Sequence, residues 1–324
     1  MDYALELRDV RKTFGANVAV EAMNLAVPRG TICGVIGPSG AGKTTCIRMI
    51  MSILFPDSGS VSVLGLASAL DAKDRIGYLP EERGVYRKMR VGAFLSLMAQ
   101  LKGLSAADAA ARVPPLLERV GLVGTERASC DELSKGMLQR VQFVAAVIHK
   151  PDLIILDEPF SGLDPVSVRL LREHIAGEHA RGATVLLSTH VMAYAEELCE
   201  HVFMIHQGRK VLDQPMAGLR RQFDPRTILI EPIDPAADPA VLRAVETVER
   251  IEPAGAAFRV TLAEGADPAP ALVRLAALMP PARIEIARLH LEDVFVRIVA
   301  GGGGMTEAAA VLRARLREGA EVGA

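Results

Sequence analysis

Residues Gly37-Pro38-Ser39-Gly40-Ala41-Gly42-Lys43-Thr44 carry the spacing G-x-x-x-x-G-K-[ST] at every fixed position. Residue types in this pattern suit the cradling of a polyphosphate. Glycines let successive backbone N–H groups converge on an anion where a side chain would block the approach. Lys43 would neutralise the outer phosphates, and the Thr44 hydroxyl would ligand Mg²⁺. By composition the pattern arises by chance in a chain of this length about once in a hundred. That favours phosphate binding over a plain Gly-rich turn.

A second chemical group closes the run Leu153-Ile154-Ile155-Leu156-Asp157-Glu158. Four apolar residues of this kind read as a central parallel strand, and it ends in two carboxylates. The carboxyl ends of such strands are where α/β folds bind ligands. His190 follows another buried strand, 184–189, and so shares that edge with Lys43 and Asp157. Ser134, in Leu133-Ser134-Lys135-Gly136-Met137-Leu138-Gln139-Arg140, opens a helix. Its hydroxyl fits an N-cap, and with the helix N-terminus it also fits an anion site. Phe14, in the turn Thr13-Phe14-Gly15, suits either a lid on the local core or a flat platform for a ring.

These residues need a frame of strands and helices. Residues 31–36 read as a short buried strand and 45–50 as a helix, whose positive end faces the same phosphates. Residues 4–7 and 18–27 alternate like strands, 56–59 form a turn, and 61–66 a short strand. Another strand begins at Ile76 and runs into a polar loop containing Glu81. From Val91 to about Val120 the apolar spacing becomes helical. This interrupts the strand–helix alternation and predicts an inserted helical subdomain over about 86–150. A helix over 137–149 leads into the carboxylate strand, and Ser161-Gly162-Leu163-Asp164-Pro165 is a tight turn before the next helix.

The chain has 324 residues, enough for two cores, and a net charge of -2 with half its residues apolar. No basic excess points to nucleic acid. Four scattered cysteines, Cys33, Cys46, Cys130 and Cys199, fit a reducing compartment and argue against a disulfide frame or a zinc site. The N-terminus has no signal pattern, and no apolar run reaches the roughly 20 residues of a membrane span.

In identity, order and spacing these signals make residues 1–222 resemble the ATP-binding subunit of ABC transporters. The resemblance implies an α/β P-loop NTPase core and ATP with Mg²⁺. Gly37 to Thr44 then look like the Walker A loop, with Thr45 completing the phosphate contacts, and 153–158 like Walker B. Asp157 would hold Mg²⁺ through water, and Glu158 would be the general base. His190 matches the switch histidine that senses the γ-phosphate, Asp164 the dimer-contacting loop, and Phe14 the adenine-stacking aromatic, usually a tyrosine. Residues 133–140 match the signature motif that caps the γ-phosphate bound by the opposite subunit. Ser134 and Gly136, its anion-contacting pair, are kept. Lys135 stands where the family has glycine, and Met137 where it has glutamine. The loop glutamine that contacts Mg²⁺ and the membrane subunit is Glu81 here, and a carboxylate still ligands Mg²⁺. The loop Leu79-Pro80-Glu81-Glu82-Arg83-Gly84 resembles those of exporter-type members.

Beyond residue 225 short elements in the order β-α-β-β-α-β predict a small α+β, ferredoxin-like domain over 226–300. They are strands at 227–231, 249–252, 258–262 and 283–289, with helices at 239–248 and 269–278. Leu272, Leu275 and Leu278 mark one side of the latter. Gly301 to Gly304 read as a linker and 307–317 as a frayed helix in the tail. The resemblance implies a head-to-tail dimer, with itself or with a paralogous ATPase subunit. It also implies integral membrane permease partners and a cytoplasmic, peripheral place on the inner face of the membrane. A soluble ABC ATPase acting on ribosomes or DNA is the rival. Such proteins carry two cassettes or long coiled-coil insertions, which this chain lacks. A regulatory module with weakened turnover is a third possibility, suggested by Lys135, Met137 and Glu81.

Overall fold

The computed structural model describes residues 2–82, 84–222, 226–287 and 290–299. The expected linker at 301–304 and tail helix at 307–317 lie outside the described residues, as do Arg83 and Leu289. The described residues form two compact units, one running to Met216 and joined by Phe295 to Val299, the other Ala217 to Val294. The break falls inside the stretch the sequence assigns to the first domain.

In the first unit β1 (Tyr3–Phe14) and β2 (Asn17–Pro28) form an antiparallel pair, and β3 (Ile32–Ile36) runs through the phosphate loop into α1 (Lys43–Ile50). β4 (Ser58–Val63) returns to β1, giving a three-stranded sheet in the order β2-β1-β4. This strand starts earlier and ends earlier than the expected 61–66. Leu64 and Gly65 take positive φ of 54° and 83°, and the Val63 N–H donates to Leu66 O at 2.8 Å, which turns the chain back.

The remaining elements are β5 (Ile76–Leu79), α2 (Val91–Leu101), α3 (Ala106–Arg119), α4 (Lys135–Val147), β6 (Leu153–Asp157), α5 (Pro165–Ala180), β7 (Thr184–Thr189), α6 (Met192–Leu198), β8 (His201–His206) and β9 (Arg209–Pro215), and the first unit ends at the first residue of α7 (Met216–Gln222). The main sheet has the order β5-β6-β7-β3-β8-β9, parallel except for β9. β3, β6 and β7 are buried along their whole length, which is why they read as unbroken apolar runs. Side chains alternate between two faces. Cys33 and Val35 join α1, β1, β2 and β4 in one core. Gly34 points the other way, where a Cβ would sit 2.8 Å from Cys199 Sγ.

The predicted helical block is two helices. Gly103 (φ 87°) breaks it, and the Ser105 hydroxyl restarts it by accepting the Asp108 N–H at 3.0 Å. Helices α2, α3 and α4 bury a cluster of their own around Phe94, Leu95, Leu117, Val141 and Val144. α4 also packs on β5 so closely that a Cβ on Gly77 would lie 2.1 Å from Ala146 O.

The second unit contains β10 (Thr227–Pro232), β11 (Val248–Ala254), β12 (Ala257–Leu262), α8 (Pro268–Leu278) and β13 (Pro281–Ile286), and α9 (Leu291–Val299) belongs to it only up to Val294. Its antiparallel sheet runs β11-β12-β10-β13, the split arrangement of a ferredoxin-like fold. The helix expected over 239–248 is only a 3₁₀ segment, Pro239–Ala244. Asp238 caps it by accepting the Ala240 N–H at 2.9 Å. Val245, Thr247 and Val248 are β-branched and draw the chain into β11. The buried side of α8 also differs from the expected one. Ala271, Leu275 and Met279, spaced by four, are buried, whereas Leu278 is 42% exposed.

The contact of Gly77 with the α4 backbone gives a direct test of this packing. Gly77→Ala should cost about 1–3 kcal/mol through overpacking and lower the denaturant midpoint. An unchanged midpoint would mean that α4 does not sit on β5.

Candidate active site

The phosphate loop is threaded so closely between β8 and β2 that Gly37 and Gly42 are required. A Cβ on Gly37 would lie 2.1 Å from Ile205 O, and one on Gly42 2.6 Å from Ala19 O. Lys43, at the start of α1, is buried, and its Nζ donates to Gly37 O at 2.9 Å and Pro38 O at 3.2 Å. The same ammonium lies 3.3 Å from Glu158 Oε1. Thr44 Oγ1 stands 3.3 Å from Asp157 Oδ1 and 3.5 Å from Glu81 Oε2.

The two carboxylates that end β6 have different environments. Glu158 leaves the strand with φ 47°, a left-handed conformation that costs energy in a non-glycine residue and turns its side chain to the loop. Its backbone N–H donates to Ser188 Oγ at 3.0 Å, and Oε2 meets His190 Nδ1 at 2.9 Å. Burial alone would raise the Glu158 pKa, but the His190 hydrogen bond and the Lys43 charge together hold it below the ordinary glutamate value. The Glu158 hydrogen bond raises His190 in turn, against burial. For Asp157 burial wins. Its pKa is raised by desolvation, countered by the Ser188 hydroxyl that donates to Oδ1 at 2.5 Å, and raised further by the nearby Glu81 and Glu158 charges.

In front of the loop is a cleft of about 470 Å³. Phe14 forms one wall, half exposed at the β1–β2 turn, with Lys43, Thr44 and Thr45 at the base. Glu81, Asp157, Glu158 and His190, like Ser134, Gly136 and Asp164, are not among its lining residues. Ser134 is exposed and caps α4, its hydroxyl accepting the Met137 N–H at 3.2 Å. Gly136 packs against α5, where a Cβ would meet Ser167 Oγ at 2.5 Å. Asp164 caps α5 by accepting the Val166 and Ser167 N–H groups, both at 3.0 Å. Lys135 is exposed, and Met137 packs its side chain on the helical cluster.

Sequence reasoning missed two contributors. Ser188 lies opposite Asp157 in the parallel register of β6 and β7 and holds both carboxylate residues. A lone polar residue near the end of an apolar strand was its signal. Gln207 and Gly208, the turn between β8 and β9, line the cleft and tie it together. The Gly208 N–H donates to Ala41 O at 3.0 Å, and its carbonyl accepts the Glu21 N–H at 2.9 Å. Only a Gln-Gly turn signal marks them.

A hard divalent cation fits here. Asp157 Oδ2 is buried with no hydrogen-bond partner, and the raised pKa of the group registers an uncompensated carboxylate. Thr44 Oγ1 and Glu81 add oxygen donors. Among the described residues no three or more His, Cys, Asp or Glu side chains converge as a resident metal centre. One or two carboxylates completed by phosphate oxygens is how Mg²⁺ is held.

A buried lysine in a glycine loop, beside a strand-end carboxylate pair on a parallel sheet, defines a P-loop nucleoside triphosphatase. The comparisons narrow the class. The family model described as "ABC transporter" matches residues 20–161. An uncharacterized ABC transporter ATP-binding protein of Bacillus subtilis is 41% identical over 230 residues, covering 71% of this chain and 77% of its own length. The Nod factor export ATP-binding protein I of Paraburkholderia xenovorans is 35% identical over 305 residues, covering 91% and 96%. A solved ATP-binding subunit of an ABC transporter superposes with TM-score 0.62 at 35% identity, over 68% of this chain and 93% of that one. The chain belongs to the ABC transporter ATP-binding proteins, and it is an ATP-hydrolysing subunit of that family.

Two outcomes follow from this geometry. Glu158 is lowered from 4.5, so its contribution to stability is present above that value and is lost as pH falls through its folded pKa. His190 is raised from 6.5, so its contribution is full below that value and is lost as pH rises through its folded pKa. The pair is therefore strongest between the two. In an NMR titration His190 should titrate above 6.5, and Glu158→Gln should bring it back toward that value. A His190 pKa indifferent to the substitution would separate the two groups. Ser188→Ala leaves the buried Glu158 N–H unsatisfied and should cost about 1–3 kcal/mol, read by thermal or denaturant unfolding.

Proposed function

We propose that this chain is the motor subunit of an exporter, working as a head-to-tail pair with separate membrane-spanning subunits. The observation that carries the reading is Glu158, held between Lys43 and His190 at the sheet edge where the phosphate loop ends. Kept ionised by those partners, Glu158 is suited to accept a proton from water attacking the terminal phosphate. Lys43 would exchange its loop carbonyls and Glu158 for the phosphates and neutralise them. His190, with its Nδ1 on Glu158, fixes the direction of that carboxylate. Phe14 would support the adenine. Thr44 and Asp157, with Glu81, would hold Mg²⁺, which supplies charge neutralisation of the phosphates when bound.

Ser134, exposed at the α4 N-terminus, would serve the ATP of a second copy or of a paralogous subunit, with Gly136 and Asp164 beside it. Export is supported by the Nod factor export relative, which the chain matches over nearly its whole length. Among the described residues no helix is long and apolar enough to cross a membrane. A membrane partner is supported by the transporter family to which the chain belongs, and a structural neighbour with TM-score 0.61 and 24% identity, from Clostridium perfringens, is itself described as part of the cbiONQ transporter complex.

Glu158→Gln should retain ATP binding, lose roughly 10²–10⁴-fold in hydrolysis, and run as a dimer on sizing in Mg-ATP. Recovered in mild detergent, the tagged variant should bring a multi-span membrane protein with it. Hydrolysis at the parental rate would remove Glu158 from its role, and ribosomal or DNA-bound proteins in place of the membrane partner would overturn the transport reading.

A further inference from the structure

β4 pairs with β1 only as far as Arg11, opposite Ser58. Lys12, Thr13 and Phe14, the last residues of β1, therefore have β2 on one side and no strand on the other. One carboxylate holds that open edge. Asp57, just ahead of β4, accepts the Thr13 N–H and the Thr13 hydroxyl on Oδ2, each at 2.7 Å, and Lys12 Nζ on Oδ1 at 2.7 Å. Its own N–H donates to Arg11 O at 2.8 Å. The hydrogen bonds from Lys12 and Thr13 hold the Asp57 carboxyl well below the usual carboxylate range. The anchored Lys12 ammonium in turn lies over the Phe14 ring, 5.8 Å from its centroid.

The Phe14 ring is 51% exposed on the wall of the cleft. A half-exposed ring at a hairpin end is otherwise free to swing, and a ligand that must order it loses affinity. We propose that Asp57 is a positioning residue for nucleotide binding: its carboxylate stands in for the missing strand and, through Thr13 and Lys12, holds Phe14 as a platform for the base. This rests on the reading of Phe14 as the base platform. Asp57 is remote in sequence from the phosphate loop, Glu158 and His190, and none of its hydrogen bonds runs to them. A fixed platform serves substrate and transition state alike, so the effect falls on KM and not on kcat.

A double-mutant cycle on the full chain, read as steady-state ATPase kinetics, tests both levels. Base–aromatic stacking is worth about 1–3 kcal/mol, so Phe14→Ala should raise KM for ATP about tenfold. Asp57→Ala should raise KM by roughly three- to tenfold with kcat within about twofold of the parent, and in the Phe14→Ala background it should add less than about twofold. Should Asp57→Ala fail to fold, Lys12→Met, which removes only the ion pair and the cation over the ring, carries the same test. Fully additive effects, or a fall in kcat at constant KM, would overturn the role of Asp57 and leave the platform standing. An unchanged KM for Phe14→Ala would overturn both.

Discussion

Lys43 and Glu158 are buried together, and each compensates the other's charge at this sheet edge. An ionised group out of water is costly unless it is paired and hydrogen-bonded, and removing one partner strands the other. The pair therefore binds two distant stretches of chain, the phosphate loop and the end of β6, into one unit. Strand order does the rest. β7 lies between β6 and β3, so its carboxyl end falls between Glu158 and the loop, and there it delivers Ser188 and His190.

That arrangement separates the roles of two adjacent carboxylates. Asp157 points from a regular strand, keeps one oxygen without a partner, and is pushed toward neutrality by burial. It is a group that gains from a cation. Glu158 has left the strand through a left-handed backbone step, and its two oxygens are already taken by Lys43 and His190. It is a group whose charge is already compensated. The Ser188 hydroxyl serves both, donating to Asp157 Oδ1 and accepting the Glu158 N–H, so it helps to hold the positive φ that divides them.

What was legible in the sequence is what is contiguous. The phosphate loop lies in one run, and the parallel strands announce themselves because burial on both faces demands unbroken apolar residues. Contacts that depend on register or on a distant partner left almost no mark. Ser188 gains its meaning only from Asp157 opposite it, and Asp57 looks like any turn acid until Thr13 and Lys12 are brought to it. In the second unit the strand order was readable, but helix 239–248 was not. Its apolar spacing permitted a helix, whereas three β-branched residues at its end and the pairing of β11 with β12 favoured a strand. The buried stripe of α8 slipped for a related reason. The leucines at 272, 275 and 278 are spaced by three, and only the sheet beneath selected the four-spaced Ala271, Leu275 and Met279.

Helix α4 shows how packing and capping share residues. Gly136 is required by close contact with Ser167, whatever else it does, and Asp164 spends its carboxylate on capping α5. Those contacts set where the α4 N-terminus and the Ser134 hydroxyl stand relative to α5. One further bond refers the same helix to the end of β6. Gln139 is buried and donates to Pro159 O at 3.1 Å, one residue beyond Glu158. Any displacement of α4 must therefore either carry the turn after Glu158 with it or break that bond and leave a buried amide unsatisfied. If Ser134 meets a partner's phosphate, as proposed, Gln139 links that end of α4 to the turn after Glu158 by one hydrogen bond.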